Sequence, residues 1–220
     1  NNLIALLSDI LLKQTPGAPI VTDSVTSAGL KKFIENHGGK HHRFKRGYKN
    51  VINEAKRLNN EGIYTPLAIE TSGHAAFINN YFLDDGAYMA ALLLIQFVKS
   101  KKEGVNFTDI LNEVEEPVEE KELRFTIKDE DFRNEGNKVL EALNGYVASV
   151  KGWEIESPNY EGVRVICDGD SWFLLRLSLH EPLLCLNIET GKKGKLEDIQ
   201  EKLYEFLKSF DKIDIASIKK

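Results

Sequence analysis

The sequence predicts an α/β domain followed by an α+β domain: a three-layer α/β/α domain with a mixed sheet, then a smaller domain with an antiparallel sheet and helices on one face. Three observations predict it. Over the first hundred residues, short apolar runs alternate with amphipathic helical patterns. A charge-dense stretch, "KSKKEGVNFTDILNEVEEPVEEKE", then interrupts the pattern. Beyond it, "GVRVICD", "SWFLLRLSL" and "PLLCLNIE" follow one another across tight turns, as strands of an antiparallel sheet do. The expected boundaries are 1–100 for the first domain, 101–119 for a connector and 120–220 for the second domain.

Leu3, Leu6, Leu7, Ile10 and Leu11 recur at helical spacing until "TPGAP" ends the helix, and "PIVTDSV" is the first strand. Ser27 is placed to cap a helix carrying Leu30, Phe33 and Ile34, which closes at Gly38 and Gly39. A second strand passes through the basic run to Gly47. Val51, Ile52, Ala55 and Leu58 mark the next helix, closed near Gly62, and "TPLAIE" is the third strand. "AAFINNYFL" is expected to return as a fourth, with Asp84 or Asp85 capping the long helix "GAYMAALLLIQFVKS". In the second domain, the strand "LRFTI" leads to a helix with Phe132, Val139, Leu140 and Leu143. After the short strands comes a terminal helix with Ile199, Leu203, Phe206 and Leu207.

Composition removes several function classes. With 42% hydrophobic and 29% charged residues the chain is globular rather than disordered. Its longest apolar run, "MAALLLIQFV" at 89–98, is shorter than the roughly 20 residues needed to cross a bilayer. No signal-peptide pattern opens the sequence, so a cytoplasmic protein without a membrane partner is expected. The net charge of -5 argues against nucleic acid as a partner, because that binding is driven by phosphate neutralisation. The run "KHHRFKRGYK" at 40–49 suits either a phosphorylated partner or an ordinary solvated strand and turn. Cys167 and Cys185 lie in apolar strand-like runs without CxxC spacing and read as buried free thiols, with neither metal nor disulfide indicated. The chain opens in amphipathic helix without an initiator Met, as a piece cut from a longer polypeptide would.

Two loops carry chemistry. In "RLSLHEP", residues 176–182, Arg176 and Ser178 share one strand face; a guanidinium fork, a hydroxyl, the turn amides through Leu179 and Glu181, and His180 together suit an anion. An ordinary hairpin in which Arg176 pairs with Glu181 is the competing arrangement. In "ETSGH", residues 70–74, the Glu70 carboxylate suits a pair of adjacent hydroxyls. Ser72 adds a donor or acceptor, Gly73 admits close approach to the backbone, and His74 lines the same loop. A nucleophilic Ser72 with His74 as base lacks a G-x-S-x-G elbow and an orienting acid. A metal site from His37, His41, His42 and His74 is weaker, since neighbouring strand residues point to opposite faces.

Together the two loops resemble one family, the α-D-phosphohexomutases. "ETSGH" is similar to their sugar-specificity loop, E-x-S-G-H, and "RLSLHEP" to their phosphate loop, R-x-S-x-x-E-P, in the same order and in separate domains. "PGAPIVTDSVTSAGL", "RGYKNVINEA", "NYFLDDGAYMAALLL" and "GVRV" resemble phosphomannomutase or phosphoglucomutase segments, so the likeness extends over the whole chain.

The resemblance implies four domains around a cleft, of which this chain is the third and fourth. The T-A-S-H-N-P phosphoserine motif and the D-x-D-x-D-R magnesium loop are absent from the sequence. The intact enzyme is then expected to interconvert hexose 1-phosphate and hexose 6-phosphate through a bisphosphorylated intermediate, with Mg2+ bound by a domain not present here. Glu70, Ser72, Gly73, His74 and Lys49 would contact the sugar; Arg176, Ser178, Leu179, His180 and Glu181 would hold the phosphate. No catalytic residue and no metal ligand is assigned within these residues. The implied partners are the hexose phosphate substrate and the missing N-terminal domains, and the chain alone is expected to be inactive. The alternative is a stand-alone module that binds a sugar phosphate or an acidic partner. Two departures stand out: Leu179 and His180 replace the Gly-Thr or Asn-Thr usual in the phosphate loop, and "SVTS" around Val25 lacks a lysine that phosphomannomutases often carry. Thr71 leaves the choice among glucose, mannose and glucosamine open.

Overall fold

The computed structural model describes residues 1–219, which fall into two compact units divided between Glu116 and Pro117. In the first unit, α1 (Asn2–Leu12), β1 (Pro19–Thr22), α2 (Ala28–Asn36), β2 (Lys40–Arg43), α3 (Tyr48–Asn60), β3 (Leu67–Ile69), β4 (Ala75–Phe77) and α4 (Gly86–Glu103) follow in order. The sheet runs β2-β1-β3-β4; β1 is parallel to β2 and β3, and β4 returns antiparallel, so the sheet is mixed as predicted. The period of two sorts its side chains into layers. Ile20, Leu67, Ile69, Ala75 and Phe77 face the helices α1 and α2, with α4 packed at the margin. Val21, Ala68 and Ala76 face the opposite way, onto Val51, Ile52, Ala55 and Leu58 of α3.

Local chemistry explains most boundaries and corrects one expectation, the length of the fourth strand. Ser27 caps α2, its Oγ accepting from the Leu30 amide at 3.0 Å. Of the two expected candidates, Asp85 caps α4, accepting from the Ala87 and Tyr88 amides. The fourth strand covers only Ala75–Phe77 rather than all of "AAFINNYFL", because Tyr81 and Phe82 both sit at φ 54°, a left-handed conformation that no strand continues. The segment expected as a connector, 101–119, is largely structured. α4 runs through Glu103, a 3-10 turn spans Asp109–Glu113, and Ile110, Leu111 and Val114 pack on the first unit's core. Gly29 is what lets this segment lie so close, since a Cβ there would stand 1.9 Å from the Glu115 carbonyl oxygen.

The second unit comprises β5 (Glu119–Ile127), α5 (Phe132–Ser149), β6 (Trp153–Ile155), β7 (Val163–Cys167), β8 (Ser171–Leu177), β9 (Leu183–Thr190), α6 (Lys195–Leu207) and β10 (Ile213–Asp214). Its sheet, ordered β10-β5-β9-β8-β7-β6, is antiparallel throughout. Both helices cover one face: Val139, Leu143 and Val147 of α5 and Ile199, Leu203 and Leu207 of α6 pack on Phe125, Val165, Phe173, Leu175 and Leu186. β5 begins at Glu119 rather than at Leu123, and Glu119 has a structural task there. Its carboxylate accepts from the Gly194 and Leu196 amides at the start of α6, at 3.0 and 3.2 Å, and these bonds hold its pKa below the ordinary range. Both cysteines are buried and neither forms a disulfide among the described residues, and burial pushes the Cys167 thiol up to about 12.

Candidate functional site

The β3–β4 hairpin places residues 70–74 at the carboxyl ends of the parallel strands β1 and β3, the end of an open α/β sheet at which ligands characteristically bind. The turn is closed by the Glu70 amide donating to the His74 carbonyl at 2.9 Å and the Gly73 amide to the Glu70 carbonyl at 3.0 Å. Gly73 sits at φ +93°, with nothing within 4 Å of where a Cβ would be, so the loop surface there is bare backbone.

Glu70 is only 5% exposed, and both of its carboxylate oxygens are fixed. The Gly47 amide, just ahead of α3, donates to Oε1 at 2.6 Å, and Ser72 Oγ donates to Oε2 at 3.3 Å. An ionised carboxyl has about four acceptor positions, so capacity remains for ligand hydroxyls. His74 turns the other way: its Nδ1 lies 2.7 Å from Asp84 Oδ2 and its ring stacks on Tyr48 at 5.2 Å. Lys49, one residue on, stands 5.9 Å from the Tyr48 ring centroid and makes no ion pair among the described residues. Glu70, Ser72, Gly73, His74 and Lys49 therefore come from one short hairpin and the adjoining first turn of α3.

The geometry bears on two rival readings. Asp84 on His74 Nδ1 is an orienting acid that the sequence had not revealed, but Ser72 Oγ donates to Glu70 and not to the imidazole, so the hydroxyl and the ring are not coupled as nucleophile and base. His41 lies against Thr22 Oγ1 at 2.7 Å while His42 meets Glu54 at 2.9 Å, and His37 stacks on Phe33. Among the described residues no three His, Cys, Asp or Glu side chains form a metal-binding group.

Sequence reasoning missed Asp23. It follows β1 directly and is fully buried; its Oδ2 accepts from the Thr71 amide and hydroxyl at 3.3 and 2.7 Å, while Oδ1 has no partner among the described residues. Burial raises its pKa, opposed by the Thr71 hydroxyl and the Arg46 charge and reinforced by Glu70. Its only sequence signal was an acid ending an apolar strand. A raised acid favours the fold while protonated, and that contribution is lost as pH rises through the folded pKa. Asp23→Asn keeps an acceptor for Thr71 without the charge. Its stability relative to the parent is therefore expected to be greater at about pH 7 than at about pH 4, where Asp23 approaches neutrality. Denaturant titrations at the two pH values check this; a gap that shrinks with rising pH would refute it.

The second loop joins β8 to β9. The Ser178 amide donates to the Leu183 carbonyl at 2.8 Å, and Ser178 Oγ accepts from the Glu181 amide at 3.3 Å, leaving Leu179, His180 and Glu181 exposed on the turn. Arg176 lies on the sheet face away from the helices, opposite Cys185 and alternating with Phe173 and Leu175. It is 7% exposed, and its Nε has no hydrogen-bond partner among the described residues. The competing Arg176–Glu181 pair does not form: Arg176 makes no ion pair with any described residue. Gly162, at φ +57°, permits the preceding loop to pass directly behind it, as a Cβ there would stand 2.7 Å from Arg176 Cβ. Arg133 of α5, a residue not singled out from sequence, donates to the Leu179 carbonyl at 3.1 Å and adds a second guanidinium to the turn. A shallow depression lined by Lys121, Glu197, Gln200, Glu201 and Tyr204 lies elsewhere in this unit and includes neither loop.

The sequence pattern of the phosphoglucomutase/phosphomannomutase family, alpha/beta/alpha domain III, matches residues 1–117. The chain belongs to this family. A phosphomannomutase/phosphoglucomutase of Pseudomonas putida is 29% identical over 204 residues, covering 91% of this chain but 40% of the relative. A phosphomannomutase of Methanocaldococcus jannaschii is 25% identical over 211 residues, covering 95% and 42%. The fold matches a crystal structure of a phosphoglucomutase/phosphomannomutase family protein from Burkholderia thailandensis with a TM-score of 0.75 at 24% identity, over 94% of this chain and 41% of the other. The chain thus spans about two fifths of the length of the family members it matches.

Proposed function

We propose that this chain is the sugar- and phosphate-recognition part of a phosphohexomutase that interconverts hexose 1-phosphate and hexose 6-phosphate through a bisphosphorylated intermediate. The observation that carries the reading is Arg176: a buried guanidinium without an acidic partner, next to a hydroxyl and an exposed turn, in a chain of a sugar-phosphate mutase family. Burying an unpaired cation costs several kcal/mol, a cost that an incoming phosphate offsets.

In this reading the second unit holds the phosphate that is not reacting, with Arg176 donating from its fork, Ser178 from its hydroxyl, and the Leu179–Glu181 turn and His180 from its rim. The first unit reads the sugar: Glu70 accepts from two neighbouring hydroxyls, Ser72 adds one bond, Gly73 admits the ring to the backbone, and His74 and Lys49 border it. Phosphoryl transfer of this kind depends mostly on positioning and charge stabilisation, and this chain supplies the positioning. The phosphoserine and the magnesium loop belong to the part of the enzyme outside these residues, and Mg2+ there would stabilise the transferring phosphoryl group. No described helix is long and apolar enough to cross a membrane.

The chain alone is expected to convert no glucose 1-phosphate to glucose 6-phosphate, because neither transferring group lies within it. A coupled assay on rigorously purified protein checks this. Conversion above background would overturn the division of labour proposed here.

A further inference from the structure

The two cysteines of the second unit lie on opposite faces of its sheet, in opposite surroundings. Cys167, on β7, belongs to the apolar core beneath α5 and α6. Cys185, on β9, sits between Leu184 and Leu186, which point into that core, and so faces the helix-free side. There it is the middle member of a row across three strands: it pairs with Arg176 on β8 and with Arg124 on β5. Residues paired in this way share one face of a sheet, with Cβ atoms about 4.5–5.5 Å apart. A thiol is thus flanked by two guanidiniums. One of them, Arg176, is more than nine-tenths buried, and its Nε has no hydrogen-bond partner among the described residues. The other, Arg124, is exposed and oriented by Glu122, whose Oε1 accepts from its Nε at 2.9 Å. Arg124 holds its proton more firmly than usual, through that bond first and then through charge at Glu122 and at Cys185, with a smaller contribution from Glu181.

We propose that Cys185 is a modification site, a thiol that hydroperoxides oxidise because Arg176 and Arg124 flank it. The thiolate is the nucleophile in this chemistry, and neighbouring cations favour that form. In the step, the Cys185 sulfur attacks one oxygen of hydrogen peroxide; the S–O bond forms as the O–O bond breaks, and hydroxide leaves. Sulfur gives up two electrons, peroxide takes them, and a sulfenic acid remains. The two guanidiniums stabilise the charge that develops on the departing oxygen as well as the charge on the sulfur. Cys185 keeps 5% of its surface exposed, which suits an oxidant of two heavy atoms and excludes bulky ones. The setting of Cys167 does the reverse, since burial pushes its thiol up to about 12 and leaves little thiolate at neutral pH. Once formed, the added oxygen is an acceptor beside the Arg176 guanidinium, and oxidation thereby draws Arg176 away from an anion at the β8–β9 turn. That consequence, unlike the reactivity, rests on the phosphate role proposed for Arg176.

Competition between the two cysteines within one molecule tests the reactivity, and Cys167 also reports any general opening of the fold. The reduced 220-residue chain is exposed to hydrogen peroxide for timed intervals, quenched with catalase and unfolded in denaturant containing N-ethylmaleimide and dimedone; the two cysteine peptides are then quantified by mass spectrometry. Free thiol is expected to disappear at Cys185 about tenfold or more faster than at Cys167, with the dimedone adduct on Cys185. Arg124→Gln, a change at an exposed side chain, should slow Cys185 about threefold or more and leave Cys167 as it was. Arg176→Leu, which adds no oxidisable sulfur, should do the same. Equal rates at the two cysteines, or a Cys185 rate indifferent to both arginine substitutions, would overturn the proposal. A phosphate titration before and after oxidation reads the consequence: affinity falls about threefold or more, returns with dithiothreitol, and shows no such response in Cys185→Ser. Unchanged affinity after oxidation would overturn the link between Cys185 and the anion site. A reduced chain that binds no phosphate would refute the role given to Arg176 instead, and the peroxide rates, measured without phosphate, would still decide the case of Cys185.

Discussion

Replacing Arg176 with methionine is expected to raise the thermal midpoint of the chain and at the same time weaken its binding of phosphate. Arg176 is a buried cation with no ionic partner, set among Leu174 and Cys185 on the helix-free face of the sheet. An apolar side chain of similar length removes the desolvation cost of that charge while filling the space it occupies. The same change deletes a charge-assisted bond to the anion, about 1.5–3 kcal/mol. That corresponds to a loss of about 10- to 150-fold in affinity. Differential scanning calorimetry and a phosphate titration on the same two proteins separate the effects. A lower midpoint with unchanged affinity would mean that Arg176 is a structural residue whose charge the fold requires.

Removing the Glu70 carboxylate is expected to have the second large effect, on the sugar. Glu70→Ala leaves the Gly47 amide without its 2.6 Å acceptor and frees the Ser72 hydroxyl, so the hairpin loses order along with its acceptors. An unsatisfied buried amide costs about 1–3 kcal/mol, so a fall in stability accompanies the loss of hexose phosphate binding. Glu70→Gln isolates the charge, because its carbonyl oxygen can still accept from Gly47. It should keep the parent's midpoint and lose about tenfold or more in hexose phosphate affinity. Affinity for inorganic phosphate, which the proposed function assigns to Arg176 and Ser178, should be unchanged in both variants. If both bound hexose phosphate as the parent does, Glu70 would be only a clasp between its own loop and α3.

What the sequence disclosed follows the burial of each element. The strands expected in "PIVTDSV" and "TPLAIE" form over "PIVT" and "LAI", where every residue is buried and the sequence is nearly all apolar. The start of β5 did not read as strand, because Glu119–Glu122 present polar side chains along it and imitate a charged linker. "NYFL" read as strand from its apolar content, yet Tyr81 and Phe82 turn left-handed, and composition carries no sign of that. Both loops were legible as motifs, since their residues are consecutive. Asp23 was not, because its partner Thr71 lies 48 positions away and only the pairing of β1 with β3 brings the two together. Arg133 was hidden in the same way, reaching Leu179 across 46 positions. The absence of a partner for Arg176 was equally beyond reach, because sequence left a pair with Glu181 equally open.

The central claim is that these two loops recognise a hexose phosphate. A backbone chemical-shift titration with glucose 1-phosphate, mannose 1-phosphate and inorganic phosphate, on the 220-residue chain and on any longer polypeptide that its gene encodes, tests it most directly. The account predicts saturable shifts at residues 70–74 and 176–181 with the sugar phosphates, confined to 176–181 with inorganic phosphate alone. Saturation by either sugar phosphate, in the 220-residue chain or in a longer product of the same gene, with both loops unshifted would contradict it.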